Sequence, residues 1–244
     1  MNPSNLYPRL ILVAVIGLVY SNTFLNSFHF DDITSILEKP WVRGLDKIPE
    51  LFNKQALFQR PLVLLSFNIN YIISEFEVAS YHLFNIMLHA LASLLVFRFA
   101  GRALNLLDDF SPQKAFSSLP FLGAMVFALH PLSTQSVTYI SSRSSIMATI
   151  FYLSALILFF DGFKKWKQTG HKAWGYFISS SVCFFLGGLS KEIIVTLPAT
   201  LFIFHFYFIY RKSLKEWFVT YAKWIFLLFI PLLTFIGYKQ FIAG

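Results

Sequence analysis

The sequence predicts an all-α polytopic membrane protein of about seven transmembrane helices, with juxtamembrane helices in its first outer loop. Three observations predict it. Only 13% of the 244 residues are charged, against about a quarter in soluble domains. Hydrophobic residues make up 56%, with 30 phenylalanines, and mean hydropathy is +0.61. The apolar residues also gather in runs close to the roughly 20 that one helical crossing requires. Disorder is excluded by this hydrophobicity, and a disulfide scaffold by the lone Cys183. The formal charge of +8 is spread between apolar runs, not gathered in one patch, so nucleic acid is not an expected partner.

The first run, residues 8–26, has only Arg9 before its apolar core and no small-x-small site after it. It reads as an uncleaved anchor, not a signal peptide. Further crossings are expected at 81–99, 145–161, 173–189, 193–210 and 217–238, with a shorter one at 116–130 that contains Pro120 and ends at His130-Pro131. Pro61–Ser74 is apolar but short, interrupted by Asn68 and Asn70, and reads as interfacial or re-entrant.

That last segment decides the side on which every later loop lies. Lys and Arg accumulate on the cytoplasmic side. With the N-terminus inside and 61–74 not spanning, the split of Lys and Arg is 12 inside to 8 outside; if the segment spans, it is 4 to 16. The non-spanning topology is therefore expected, with a long first outer loop over 27–80 and short basic inner loops at 100–115, 162–172 and 211–217. Trp166, Trp174, Trp217 and Trp224 stand near helix ends, as interfacial belts do. No internal repeat or separate soluble domain is evident, so residues 1–244 read as one module.

This topology collects an outer set of ionisable residues: His29, Asp31 and Asp32, then Arg60, His130, Arg143, Lys191 and Glu192. Charges at membrane depth are functional candidates by default. Each also has a plainer reading. Asp31 or Asp32 suits the N-cap of a helix starting at Ile33, Arg60 suits snorkelling, His130-Pro131 suits a helix end, and Lys191-Glu192 suits a wet turn. His82 and His89, on one helical face with Asn85, fit interhelical polar packing better than a metal site. His205 reads as a buried, satisfied histidine, and Asp108, Asp109 and His171 as solvated.

Together the outer residues suit a substrate with a lipid tail and an anionic head. Phosphate is matched by Arg and Lys, and a carboxylate serves as general base on an acceptor hydroxyl. Gly-rich phosphate loop, zincin motif and nucleophile elbow are all missing from the sequence, so nucleotide hydrolysis and acyl transfer lack support.

Several ordered motifs resemble one family. They are Asn26-Ser-Phe-His-Phe-Asp-Asp32, Gln59-Arg-Pro-Leu62, Ser66-Phe-Asn-Ile-Asn-Tyr71, Tyr81-His-Leu-Phe-Asn85 and Leu88-His89. His130-Pro-Leu-Ser-Thr-Gln-Ser-Val137, Ser142-Arg143, Ser190-Lys-Glu192 and Thr196-Leu-Pro198 complete the set. In this order they are similar to the N-terminal seven-helix module of GT-C glycosyltransferases, closest to the transmembrane O-mannosyltransferase-like group that often carries TPR repeats.

The resemblance implies inverting transfer of a sugar, mannose among the candidates, from a polyprenyl-phosphate donor to a protein or glycan hydroxyl at the periplasmic or lumenal face. It implies that Asp31 or Asp32 is the catalytic base and that Arg60, His130, Arg143 and Lys191 contact the donor phosphate. His29 and Glu192 would stand at the substrate site. A bacterial inner membrane, or the endoplasmic reticulum in a eukaryote, is the expected location. A divalent ion, Mg²⁺ or Mn²⁺, is compatible with the acidic pair, although no further ligand is obvious. Family members continue beyond the seventh helix, so the chain reads as a truncated form, a minimal form with a membrane partner supplying further helices, or an inactive relative. Two rival readings are a non-catalytic lipid-carrier binder or transporter and a subunit of a larger membrane complex.

Overall fold

The computed structural model describes residues 6–52, 60–105, 119–169, 173–210 and 213–219, together with 233 and 237. Every regular element among these residues is helical. The main helices are α1 (Leu6–Val19), α2 (Pro61–Ser74), α3 (Val78–Leu104), α4 (Leu119–Leu129), α5 (Pro131–Thr138), α6 (Arg143–Thr169), α7 (Trp174–Gly188) and α8 (Leu197–Phe204). Asp108, Asp109, His171 and Trp224 lie outside the described residues, as does most of the expected crossing at 217–238.

Among the described residues, three helical stretches are long and apolar enough to cross a membrane: Leu6–Leu25, Val78–Leu104 and Ile140–Trp166. The chain is an all-α membrane protein. Pro61–Ser74, Leu119–Leu129 and Glu192–Tyr207 are apolar but shorter. The expected crossing at 116–130 is short because Pro131 breaks it and starts α5 as a new helix. The crossing expected at 145–161 instead begins at Arg143. That charge does not end the apolar stretch, because it is enclosed by protein instead of lipid.

The helix over Pro61–Ser74 is 14 residues long, which at 1.5 Å per residue is about 21 Å, short of the roughly 30 Å hydrocarbon core. Its two asparagines are tethers. Asn68 Nδ2 donates to the carbonyls of Trp41 (3.1 Å) and Gly44 (2.8 Å), and Asn70 Nδ2 donates to that of Ser80 (3.3 Å). The segment between α1 and α2 is thereby pinned down as a series of short turns, Ile33–Leu37, Pro40–Val42 and Leu45–Phe52. Their apolar residues Ile36 and Val42 pack with Val63, Leu64 and Phe67 of α2, Tyr81 of α3 and Ile140.

Helix α3 is the hub, packing against α1, α4 and α6, while α6 pairs along its length with α7. Gly162 allows that last approach: a Cβ there would lie 2.9 Å from Cβ of Tyr176. Small residues let membrane helices come this close. At the other end of α3, Arg102 grips Asp161 of α6 bidentately, Nε to Oδ1 at 2.8 Å and Nη2 to Oδ2 at 2.7 Å. This arginine therefore locks two helices and is more than a positive-inside anchor. Trp217 also departs from the belt reading. It is 1% exposed and donates from Nε1 to His205 Nδ1 at 2.7 Å, which gives the buried His205 the partner that was expected. Trp174, at 46% exposure, keeps to the belt pattern.

Candidate functional site

Between the α1–α2 segment, α2 and the starts of α6 and α8 lies a cleft of about 330 Å³, lined by Thr34, Ser35, Lys39, Arg60, Val63, Leu64, Phe67, Ser141, Ser144 and Glu192. One wall is apolar and the rest is hydroxyl-rich, with two cations and one acid.

Arg60 sits at the start of α2 with φ 63°. A non-glycine residue held in the left-handed region costs roughly 1–3 kcal/mol, and such strain gathers at functional sites. Pro61 follows at the first helical position, where its fixed φ suits a helix start. Arg60 Nη1 donates to Ser144 Oγ at 3.1 Å, and Nη2 lies 3.5 Å from Glu192 Oε2. Lys191 stands behind Glu192, its Nζ donating to Ser145 Oγ at 2.7 Å.

The acidic pair is divided by environment. Asp32 is 1% exposed. Its Oδ1 accepts from Ser141 N–H (2.7 Å) and Ser141 Oγ (2.6 Å), and its Oδ2 accepts from His29 N–H (3.2 Å). It makes no side-chain cap to the turn at Ile33, contrary to the capping reading. Because Ser141 lines the cleft, Asp32 stands directly behind that wall. Asp31 is exposed, and its backbone N–H donates to the Tyr139 hydroxyl at 3.0 Å.

Arg143 has a different place from the one its motif suggested. It is 0% exposed. Nε donates to Asn85 Oδ1 (2.7 Å), Nη1 to Asn70 Oδ1 (2.6 Å) and to the Ser66 carbonyl and Oγ (3.2 Å each), and Nη2 to the Tyr81 carbonyl (3.1 Å). The rings of Phe67 and Phe84 lie 4.5 and 4.6 Å from its Cζ. Such an enclosed guanidinium is a bolt joining α2, α3 and α6, and it has no face turned to a ligand.

His130 is also drawn into structure. It is exposed, and its Nδ1 accepts from Leu132 N–H at 3.2 Å, capping α5. His29 is exposed and pairs through Nε2 with Ser27 Oγ at 3.1 Å. His89 reaches the Ala128 carbonyl at 3.0 Å, an interhelical polar contact as expected.

The structure thus brings Arg60 and Glu192 together in the cleft, with Asp32 and Lys191 one residue behind its wall, and leaves His130 and Arg143 elsewhere. Lys39, Tyr139, Ser141 and Ser144 escaped the sequence reading. Hydroxyl residues next to Arg143 carry no pattern that separates a lining serine from a helix-packing one. As for a divalent ion, no group of three or more His, Cys, Asp or Glu converges among the described residues. Both oxygens of Asp32 already face N–H and O–H donors, so the donor set does not fit a cation cage, and no step is routed through one.

Comparison with characterised proteins gives a consistent result. The chain is 30% identical over 220 residues to Protein O-mannosyl-transferase TMTC2 of Mus musculus, covering 84% of this chain and 25% of that protein. It is 29% identical over 160 residues to a Protein O-mannosyl-transferase of Caenorhabditis elegans (61% and 22% covered). It is 27% identical over 164 residues to Protein O-mannosyl-transferase TMTC3 of Homo sapiens (63% and 17% covered). The match therefore spans a quarter or less of each of these relatives. No family profile matches the chain, and no solved structure does.

Proposed function

This chain is a relative of the transmembrane protein O-mannosyl-transferases over most of its length, and from that premise we propose a mannosyl-transferring membrane module that uses a polyprenyl-phosphate donor at the periplasmic or lumenal face. The observation that carries this reading is the cleft. It sets Arg60 and Lys39 beside hydroxyls and an apolar wall, and it has Asp32 against the side that Ser141 forms, with Asp31 next to it in the chain.

In this reading the donor phosphate is held by Arg60, with Lys39 and Lys191 adding positive field. Arg60 offers a planar fork suited to phosphate. Asp31, the exposed acid, takes the proton from the acceptor hydroxyl. The hydroxyl oxygen forms the new bond to the anomeric carbon as the bond from that carbon to the phosphate oxygen breaks with inversion. The electron pair leaves with the polyprenyl phosphate, whose charge the cations stabilise, and the proton stays on Asp31. Asp32 is the anchor of the loop and not the base, since its oxygens are already committed. The N-terminus is cytoplasmic in this scheme, so Asp31 and Lys191 share the opposite compartment. Single thiols at the two positions should react alike with an impermeant maleimide.

The test is Asp31→Asn in a transfer assay with polyprenyl-phosphate mannose. Removing a general base typically costs about 10²–10⁴ in rate. Wild-type transfer by this variant ends the assignment. Carrier binding without any transfer by the parent protein would instead favour a lipid-carrier binder.

A further inference from the structure

We propose that the paired ends of α3 and α6, at the far end of the bundle from the cleft, hold the headgroup of an anionic phospholipid, with Arg98 and Lys164 as its phosphate contacts. The inference is independent of the transfer reaction and of any base assignment.

Depth comes first. Helix α6 runs unbroken from Arg143 to Thr169. Ser144 lines the cleft at its start, and Asp161 follows 17 residues later. At 1.5 Å per residue that is about 26 Å of rise, close to the roughly 30 Å hydrocarbon core. Arg98 and Arg102 of α3 reach the same level, because both meet the Asp161 carboxylate. These cations therefore stand where lipid phosphates stand. Along α3, Leu83, Met87 and Leu91 are 46%, 52% and 44% exposed and recur at every fourth residue. Arg98 follows Leu91 by seven, on the same helical face, so an apolar track for an acyl chain runs up to a guanidinium.

Charge at this end is unbalanced. Arg102 engages both oxygens of Asp161, at 2.8 and 2.7 Å. Arg98 Nη2 is left 3.7 Å from Oδ2, beyond hydrogen-bond reach of it, with its side chain 53% exposed against 32% for Arg102. Lys164 and Lys165 follow Asp161 at the third and fourth positions and share its side of α6; Lys164 is exposed. The stretches 98–115, 161–172 and 211–217 contain ten Lys and Arg against four Asp and Glu, six of the chain's eight surplus positive charges. The last of them belongs to this end, since Trp217 packs in one core cluster with Phe163 and Trp166. A planar guanidinium matches phosphate, and basic groups between membrane helices suit anionic headgroups.

The test uses the full chain, delipidated in detergent and titrated with phosphatidylglycerol or phosphatidylcholine, with bound lipid read by native mass spectrometry. Phosphatidylglycerol should bind about tenfold more tightly than phosphatidylcholine. Arg98→Gln should weaken phosphatidylglycerol about tenfold, the loss of one charge-assisted contact. Lys164→Gln should lower it in the same direction and serves if Arg98→Gln does not fold. Lys47→Gln removes the same charge from the α1–α2 segment and should bind as the parent does. Equal affinity for the two lipids overturns the proposal, as does parental binding by Arg98→Gln and Lys164→Gln, or an equal loss in Lys47→Gln. Displacement of the lipid by millimolar inorganic phosphate would make this a free-anion site and end the lipid assignment.

Discussion

Arg60 and Glu192 meet across the cleft from points 132 residues apart in the chain, with Nη2 3.5 Å from Oε2. Their side chains are 39% and 57% exposed, and a pair this open is worth about 0–1 kcal/mol. The strained backbone of Arg60 is therefore poorly explained as the cost of this one ion pair. In the proposed function, that backbone holds a guanidinium that a phosphate takes over from Glu192. Arg60→Ala should weaken binding of polyprenyl phosphate on the order of tenfold or more, since a charge-assisted hydrogen bond is lost. Glu192→Gln should bind at least as well as the parent. Binding in nanodiscs, followed by native mass spectrometry, reads both, and a weaker Glu192→Gln would reverse the role of that acid.

Arg143 should behave as a stability residue. Its removal leaves Asn85 Oδ1, Asn70 Oδ1 and the carbonyls of Ser66 and Tyr81 without the donor they share. Breaking one side of a buried charged network typically costs about 3–5 kcal/mol. Arg143→Ala should therefore lower the thermal midpoint steeply or abolish folding. Arg143→Lys should rescue little, because an ammonium cannot span the same fork. A folded Arg143→Ala protein with a parental midpoint and weakened lipid-phosphate binding would return this residue to the donor site.

The fold class was legible because membrane burial forces composition: apolar runs and few charges answer to one solvent. The shortness of the apolar helix at 61–74 was legible from its sequence, while its two asparagines turned out to be tethers to the preceding segment and to Ser80. The site was legible only in part. Arg60 and Glu192 were singled out because charge near the membrane is costly, and both line the cleft; the same rule singled out Arg143, since cost alone does not separate an accessible charge from a buried bolt. Trp217 was misread for a similar reason, because a tryptophan near a helix end looks alike whether it faces headgroups or His205. Tyr139 and Ser141 gave no signal at all. Their importance comes from a loop 108 residues away folding onto them.

The two acids should separate cleanly by phenotype. Asp32→Ala leaves Ser141 N–H, Ser141 Oγ–H and His29 N–H without their acceptor. An unsatisfied buried donor costs about 1–3 kcal/mol, so this variant should melt lower than its parent. Asp31→Ala removes an exposed carboxylate and should leave the midpoint near the parental value while losing transfer. Thermal unfolding in detergent compares them, and equal midpoints for the two would remove the division of labour between neighbouring acids.

High pH offers a separate check on the Tyr139 contact. Partial burial raises the phenol above its ordinary value of 10.0, and the nearby Asp31 carboxylate raises it further. The folded state thus keeps this proton where the unfolded chain has begun to lose it. The sign follows from proton linkage: the stabilising contribution is fully present below pH 10 and is lost as pH rises through the elevated folded value. Once ionised, the phenolate repels the carboxylates of Asp31 and Asp32 near it. The extra exchange protection of the 26–34 segment over that of Tyr139→Phe should hold constant up to about pH 10 and shrink above it. Pulsed exchange measured for both proteins at each pH reads the difference directly. A difference that falls away near neutral pH would mean that some other group carries the contact.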